Sequence, residues 1–186
     1  MGVVAGDGNC GFRSIAVSLG LSEDKWPVIR KDLKNALMEE NEMYCKILGE
    51  KLYAEVLKSV EWEKGPAPKD NWMQMPDLGY AVATVYKRPL YFFSQLQNFT
   101  FLPLDCYSSI CNTCISIAHV NGDHFVPLEL HSNSPIPPII HDWETNASEK
   151  AKSWLNKISK NLLKKWDDMW DQHMNGREIV SFDLST

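Results

Sequence analysis

The chain has 186 residues, of which 44% are hydrophobic and 23% are charged, and this composition suits a globular protein with one substantial core. Its 19 basic and 24 acidic residues give a formal net charge of −5, which argues against general nucleic-acid binding and favours a partner with a basic surface. No apolar run approaches the roughly 20 residues of a membrane span, and the start does not resemble a signal peptide. We therefore expect a cytoplasmic or nuclear protein that does not enter a membrane.

The most informative stretch is 6–16, where a glycine-rich turn runs directly into a helix with a cysteine at the junction. Asp7 and Asn9 are typical turn and capping residues, so Cys10 stands where the first N–H groups of a helix are free. The positive end of a helix favours a thiolate, and the same N–H groups can hold an oxyanion. The pattern predicts a nucleophilic Cys10, although a lone cysteine is often only a small buried hydrophobe.

Five cysteines are present, and an odd number in a chain without a signal peptide indicates reduced thiols. Cys111 and Cys114 form a C-x-x-C pair, but no second pair completes a zinc site, so we expect no metal.

Helices dominate the first half of the sequence. Apolar residues at helical spacing predict helices over 26–42 and 43–60, followed by a loop at 63–70 and a buried helix over 76–86.

Short strands then follow, and the predicted strands cover 90–93, 99–104, 114–119 and 124–130. Helices first and strands afterwards predict an α+β fold, with a small, mostly antiparallel sheet packed against helices. A proline-rich connector at 134–138 leads to 147–174, which has the periodicity of one long amphipathic helix. The strand-like piece 179–182 is too short to interpret.

His124 follows a turn and begins an apolar strand, a position from which a histidine can face a cleft. Three motifs then occur in a characteristic order: Gly-Asp-Gly-Asn-Cys-Gly-Phe-Arg-Ser at 6–14, Met-Pro-Asp-Leu-Gly-Tyr at 75–80 with Arg-Pro-Leu-Tyr at 88–91, and Gly-Asp-His-Phe-Val at 122–126. Along residues 6 to about 130, their order and spacing resemble the ovarian tumour (OTU) family of cysteine proteases. The first motif is highly specific for that family.

This resemblance implies a papain-like α+β fold and a deubiquitinating thiol isopeptidase, which cleaves ubiquitin or a ubiquitin-like modifier from lysine or from a chain. It implies neither a metal nor an organic cofactor. By motif, Cys10 is the nucleophile and His124 the general base, and Asp7 takes the acidic position of the loop that forms the oxyanion hole with the Cys10 amide.

The sequence departs from the family after the histidine. Many members place Asn or Asp two residues after it, whereas this chain has Val126. Asp123 is adjacent to His124 and should face away from it on a strand, so Asn121 in the turn or Asp7 remain open as the group that orients His124. The base itself has an alternative in His119, which has Asn121 two residues on.

Two functional classes follow from these residues. The leading hypothesis is the isopeptidase, and the alternative is a ubiquitin-binding module that cleaves poorly because its histidine lacks a third residue. We expect a protease domain over 1–140 and a helical extension over 141–186 packed on it. Because the cysteine motif starts so near the first residue, we also expect that the domain was cut from a larger protein, which the full-length gene would decide.

Overall fold

The computed structural model describes residues 2–108 and 113–174, and these form an α+β fold. Cys111 and the piece at 179–182 lie outside the described residues. Seven α-helices and four β-strands are assigned within the described ranges. The helices are α1 (Cys10–Ser18), α2 (Trp26–Glu39), α3 (Asn41–Leu48), α4 (Glu50–Val60), α5 (Gly79–Tyr86), α6 (Trp143–Asn146) and α7 (Lys160–Met174). The strands are β1 (Leu90–Ser94), β2 (Phe99–Phe101), β3 (Ile115–Val120) and β4 (His124–Pro127).

The helical half follows the predicted periodicity but is divided more finely. The predicted helix 43–60 is two helices, because Gly49 has a φ of 80° and ends α3 before α4 begins. The helix expected from residue 76 begins only at Gly79. Two strands are shorter than expected, since β2 ends two residues before Pro103 and β4 ends at Pro127.

The sheet has the strand order β2-β1-β3-β4. The β1–β2 and β3–β4 pairs are antiparallel and the central β1–β3 pair is parallel, so the sheet is mostly antiparallel as predicted. Helix α1 and the other helices of the first half share one large core with Ile115, Ile117 and Phe125 of the sheet. A smaller cluster around Ala118 and Val126 covers the opposite face. The sheet thus places the start of β4 beside the start of α1.

The prediction of one long helix over 147–174 is wrong. Residues Ala151–Asn156 form a 3-10 turn, and α7 begins only after Ser159, whose side-chain oxygen accepts a hydrogen bond from the Leu162 amide at 3.3 Å. Ser159 therefore caps a new helix, which the continuing apolar spacing concealed. No helix among residues 2–108 and 113–174 has the length and apolarity needed to cross a bilayer.

The segment after residue 140 contributes large side chains to the main core. Trp143 and Trp154 are 0% and 2% exposed. The Trp143 indole N–H donates to the carbonyls of Leu102 and Pro103 at 3.0 and 3.2 Å, and the Trp154 indole N–H donates to the Cys106 carbonyl at 3.1 Å. These contacts join the segment to the chain that follows β2.

We predict that Trp154→Ala lowers the free energy of unfolding by about 3–5 kcal/mol, because it leaves a cavity and unpairs a buried carbonyl. Urea denaturation followed by circular dichroism measures this change. Leu96→Ala, at a side chain that is 92% exposed, is the control and should leave stability within about 0.5 kcal/mol. An unchanged stability for Trp154→Ala would mean that the segment after 140 folds independently of the core.

Candidate active site

Cys10 is the first residue of α1 and lies against the free edge of β4. Its Sγ accepts a hydrogen bond at 3.5 Å from the backbone N–H of Phe125, the residue that follows His124. The thiol is 7% exposed. The predicted position of Cys10 at a turn-to-helix junction is therefore confirmed, and the fold brings it next to the predicted histidine strand.

Burial raises the pKa of the Cys10 thiol, and this effect exceeds the opposing hydrogen bonds from the amides of Phe125, Gly11 and Cys10 itself. The negative charge of Asp7 also raises it. The sequence-based expectation of a lowered pKa is thus wrong for this conformation, because desolvation outweighs the helix terminus. Cys10 is a thiol at neutral pH here, so its use as a nucleophile requires a base.

The imidazole of His124 lies beside the loop that precedes Cys10. A Cβ placed on Gly6 would be 3.7 Å from both Nδ1 and Cε1 of His124, which is ordinary van der Waals contact. His124 therefore lies near Gly6, with room for a methyl group between them, while the N–H of its neighbour Phe125 donates to the Cys10 sulfur. The structure places Cys10, the loop before it and His124 in one region of the fold.

His119 occupies a different place. It pairs with Phe125 across β3 and β4, and the two rings are 4.6 Å apart. Burial lowers the pKa of His119, the charge of Asp123 opposes this, and the charge of His124 adds to it. Strand alternation puts His119 on the face of Phe125 and His124 on the other face, with Val126.

No side chain within 2–108 and 113–174 forms a hydrogen bond with the His124 imidazole. Val126 stands on the His124 face and is buried, as the strand pattern predicts. Asn121 has a φ of 55° in the turn before β4, and Asp123 interacts electrostatically with His119. The His124 imidazole thus lies beside Gly6, with no side-chain hydrogen bond from the described residues to fix its direction.

The Asp7 carboxylate faces Arg13 of α1 and not His124. Its Oδ2 accepts from Arg13 Nη2 at 2.7 Å, and its Oδ1 accepts from Arg13 Nε at 3.2 Å and from the Asn9 amide at 3.0 Å. Burial alone would raise the pKa of Asp7, but the Arg13 and Asn9 hydrogen bonds outweigh it and lower the pKa from 3.8 to about 2. Asp7 thus fastens the loop to the first turns of α1.

This pKa predicts an acid-dependent loss of stability. The folded-state pKa of Asp7 lies below its ordinary value, so the pair with Arg13 stabilises the fold above about pH 4, and that contribution is lost as the pH falls towards 2. We predict that Asp7→Asn is less stable at pH 7 and loses less stability than the wild type between pH 4 and pH 2. Thermal unfolding at stepped pH measures this, with Asp168→Asn on the exposed side of α7 as the control. Parallel curves for wild type and Asp7→Asn would contradict it.

The segment 59–73 forms the second support of the loop at 6–9. The Ala67 amide donates to the Asp7 carbonyl at 2.7 Å, and the Asn9 side-chain amide donates to the Gly65 carbonyl at 3.1 Å. Gly8 has a φ of 80°, and a Cβ there would lie 2.3 Å from the Ala67 carbonyl oxygen and 2.6 Å from Trp72 Nε1. Trp72 therefore borders the loop.

Two acids in or near the 59–73 segment, Glu61 and Asp70, each pair with a lysine. Glu61 contacts Lys34 at 2.9 Å and Asp70 contacts Lys58 at 2.7 Å, both on the surface. No three His, Cys, Asp or Glu side chains of the described ranges gather into a group that could hold a metal ion.

Sequence reasoning missed Arg30, whose side chain reaches the loop from α2. Its Nε and Nη2 donate to the Asn9 side-chain oxygen at 3.1 and 2.9 Å. A signal was present, because Arg30 stands four residues after Trp26 and three before Leu33, on the buried stripe of the helix.

The fold is similar to that of two solved viral proteases. One is the viral OTU domain protease from Dera Ghazi Khan virus, with 17% sequence identity, coverage of 70% of this chain and 80% of that chain, and a TM-score of 0.49. The other is the viral OTU domain protease from Farallon virus, with 16% identity, coverage of 69% and 82%, and a TM-score of 0.46. No family model and no curated protein matches the sequence.

Proposed function

We propose that this protein is a cysteine-type deubiquitinase, which cleaves ubiquitin or a ubiquitin-like modifier from lysine or from a chain. The observation that carries the proposal is the contact set around Cys10. Cys10 is the first residue of α1, and its sulfur accepts a hydrogen bond from the N–H of Phe125, the residue after His124. The His124 imidazole lies beside Gly6 in the loop before Cys10. A thiol, an imidazole and N–H groups at the start of a helix are the parts that acyl transfer requires.

In the proposed reaction, His124 removes the Cys10 proton and the sulfur attacks the carbonyl carbon of the isopeptide bond. The oxyanion formed there is held by N–H groups at the start of α1, including that of Cys10. The carbon–nitrogen bond then breaks, and the imidazolium gives its proton to the departing lysine amine. Water, deprotonated by His124, hydrolyses the thioester and releases the modifier with a free carboxylate.

The raised pKa of Cys10 fits this order of events. A thiol that is protonated at neutral pH needs a base at the moment of attack, and the imidazole supplies it. Asp7 serves the reaction by fixing the loop that carries the oxyanion donors, through its bonds to Arg13 and Asn9. The reaction requires no metal and no organic cofactor.

The second candidate is a module that binds ubiquitin and cleaves it poorly. It is favoured by one observation, the lack of a hydrogen bond to the His124 imidazole from any residue of 2–108 and 113–174. An imidazole without an orienting partner spends less time in the tautomer and direction that deprotonate a thiol.

Labelling with ubiquitin that carries a C-terminal thiol-reactive group tests the proposal. We expect a stable adduct with the wild type and none with Cys10→Ala, and mass spectrometry should place the adduct on Cys10. A matched probe made from a ubiquitin-like modifier shows which of the two is accepted. If the folded wild type binds ubiquitin but forms no adduct, the proposal of a deubiquitinase is contradicted and the ubiquitin-binding module is supported.

A further inference from the structure

Arg30 is buried behind the loop that precedes Cys10. Its side chain projects from α2 and only 1% of the residue is exposed. Besides the two bonds to the Asn9 side-chain oxygen, Nη2 donates to the carbonyls of Asn71 at 2.9 Å and Gly8 at 3.4 Å, and Nη1 donates to the Ser59 carbonyl. One guanidinium therefore joins the loop before Cys10 to the end of α4 and to the 59–73 segment.

The stacking of this side chain also involves α1. The guanidinium carbon lies 3.8 Å from the centre of the Phe12 ring and 5.6 Å from that of Trp26. Phe12 is fully buried and stands two residues after Cys10. Arg30 thus contacts the chain on both sides of the nucleophile, at Gly8 and Asn9 before it and at Phe12 after it.

The charge of Arg30 has no carboxylate partner among these contacts. Every acceptor of its hydrogen bonds in the described residues is a neutral carbonyl or amide oxygen. A buried cation is costly without a counter-charge, and burial lowers the pKa of Arg30, although a guanidinium keeps its charge across the pH range in which thiols titrate. The two negative charges that oppose this fall in pKa are Asp7, already bound by Arg13, and the thiolate of Cys10.

We propose that Arg30 is a positioning residue for Cys10, which holds the Gly8 carbonyl and the Asn9 side chain through its planar guanidinium and places a positive charge that favours the Cys10 thiolate. This inference rests on the proposed function, because it assigns Arg30 to the same nucleophile. The guanidinium is bonded to Gly8 and Asn9, which immediately precede Cys10, and a positive charge placed there stabilises a negative charge on the neighbouring sulfur. The planar set of N–H donors on the Arg30 guanidinium, called its fork here, fixes the direction of the Gly8 and Asn9 amides. The positive charge of Arg30 raises the fraction of Cys10 that is thiolate at a given pH.

The test is the pH dependence of Cys10 alkylation by iodoacetamide, followed on the Cys10 peptide by mass spectrometry. We expect Arg30→Gln to move the alkylation midpoint upwards by about one pH unit, because a nearby positive charge is lost. Arg30→Lys replaces the guanidinium by an ammonium group whose pKa burial lowers, so its midpoint should lie between those of the wild type and Arg30→Gln. Arg30→Lys also loses the fork, so its labelling by the ubiquitin probe should fall about tenfold.

Arg88→Gln is the matched control, since it removes one positive charge at a half-buried arginine before β1, at the end of the sheet remote from His124. If folded Arg30→Gln has the midpoint of Arg88→Gln, Arg30 is only structural and the proposal fails. If Arg30→Gln does not fold, Arg30→Lys decides, because wild-type probe labelling in that variant would overturn the role of the fork. Alkylation needs no ubiquitin, so a shifted midpoint in a protein that the probe never labels would contradict the proposed function alone.

Discussion

Replacing His124 by alanine should slow cleavage by about 1000-fold at pH 7 without a large loss of stability, because a general base contributes roughly 10²–10⁴. Burial keeps Cys10 protonated at that pH, so attack depends on the imidazole. His124 is only partly buried at the start of β4, and its contact is with Gly6. His119→Ala should change the rate by less than about threefold, because the His119 ring packs against Phe125, whereas the His124 imidazole lies beside Gly6 of the loop before Cys10.

The rate of ubiquitin-probe labelling across pH 6 to 10 measures both effects. The deficit of His124→Ala should shrink as the pH rises, since hydroxide then forms the thiolate without a base. The comparison of the two alanine variants is itself the control, because both remove one imidazole from neighbouring strands. A large deficit in His119→Ala with normal labelling of His124→Ala would transfer the role of base to His119.

Local features of the sequence predicted the parts of this site that depend on local structure. The turn residues before Cys10 and the apolar spacing after it place a helix start at the cysteine, and the alternation after His124 predicts a strand. Turn chemistry and periodicity act over a few residues, so they can be read without a partner in space. The pairing of these two elements was predicted only through the resemblance to a family.

Long-range contacts of polar groups could not be predicted in this way. The fork from Arg30 to Asn9 spans 21 residues, and the bond from Asn9 to the Gly65 carbonyl spans 56. Asp7 stood open as a partner for His124, because the sequence does not say which cation lies nearest to a carboxylate. In the structure Arg13 takes it, six residues away and one helical turn into α1.

The division of the C-terminal segment was missed for a different reason. Apolar residues continue at helical spacing through Trp154, Ile158 and Leu162, and this spacing alone predicts one helix. Ser159 lies within this pattern and caps the N-terminus of α7, so a new helix begins there. The 3-10 turn before it places Trp154 in the main core. Capping chemistry should therefore have been weighed against periodicity at this residue.

Gly8→Ala should inactivate the protein and lower its stability by about 3 kcal/mol or more, because strain and collision add at this position. The φ of 80° is costly for any residue with a Cβ. The new Cβ would also stand 2.3 Å from the Ala67 carbonyl oxygen, a backbone atom that cannot turn aside as a side chain can. Either the loop before Cys10 or the 59–73 segment must move, and both carry the contacts that fix the nucleophile.

Gly20→Ala separates the effect of backbone strain from the effect of the collision with Ala67. Gly20 has the same φ of 80°, and a Cβ there has no atom within 4 Å. Strain alone should then cost about 1 kcal/mol and leave ubiquitin-probe labelling at the wild-type rate. Urea unfolding and labelling of both variants measure the difference. If Gly8→Ala matched Gly20→Ala in both, the loop would tolerate displacement from the 59–73 segment, and the close packing of Gly8 on Ala67 would have no part in holding Cys10.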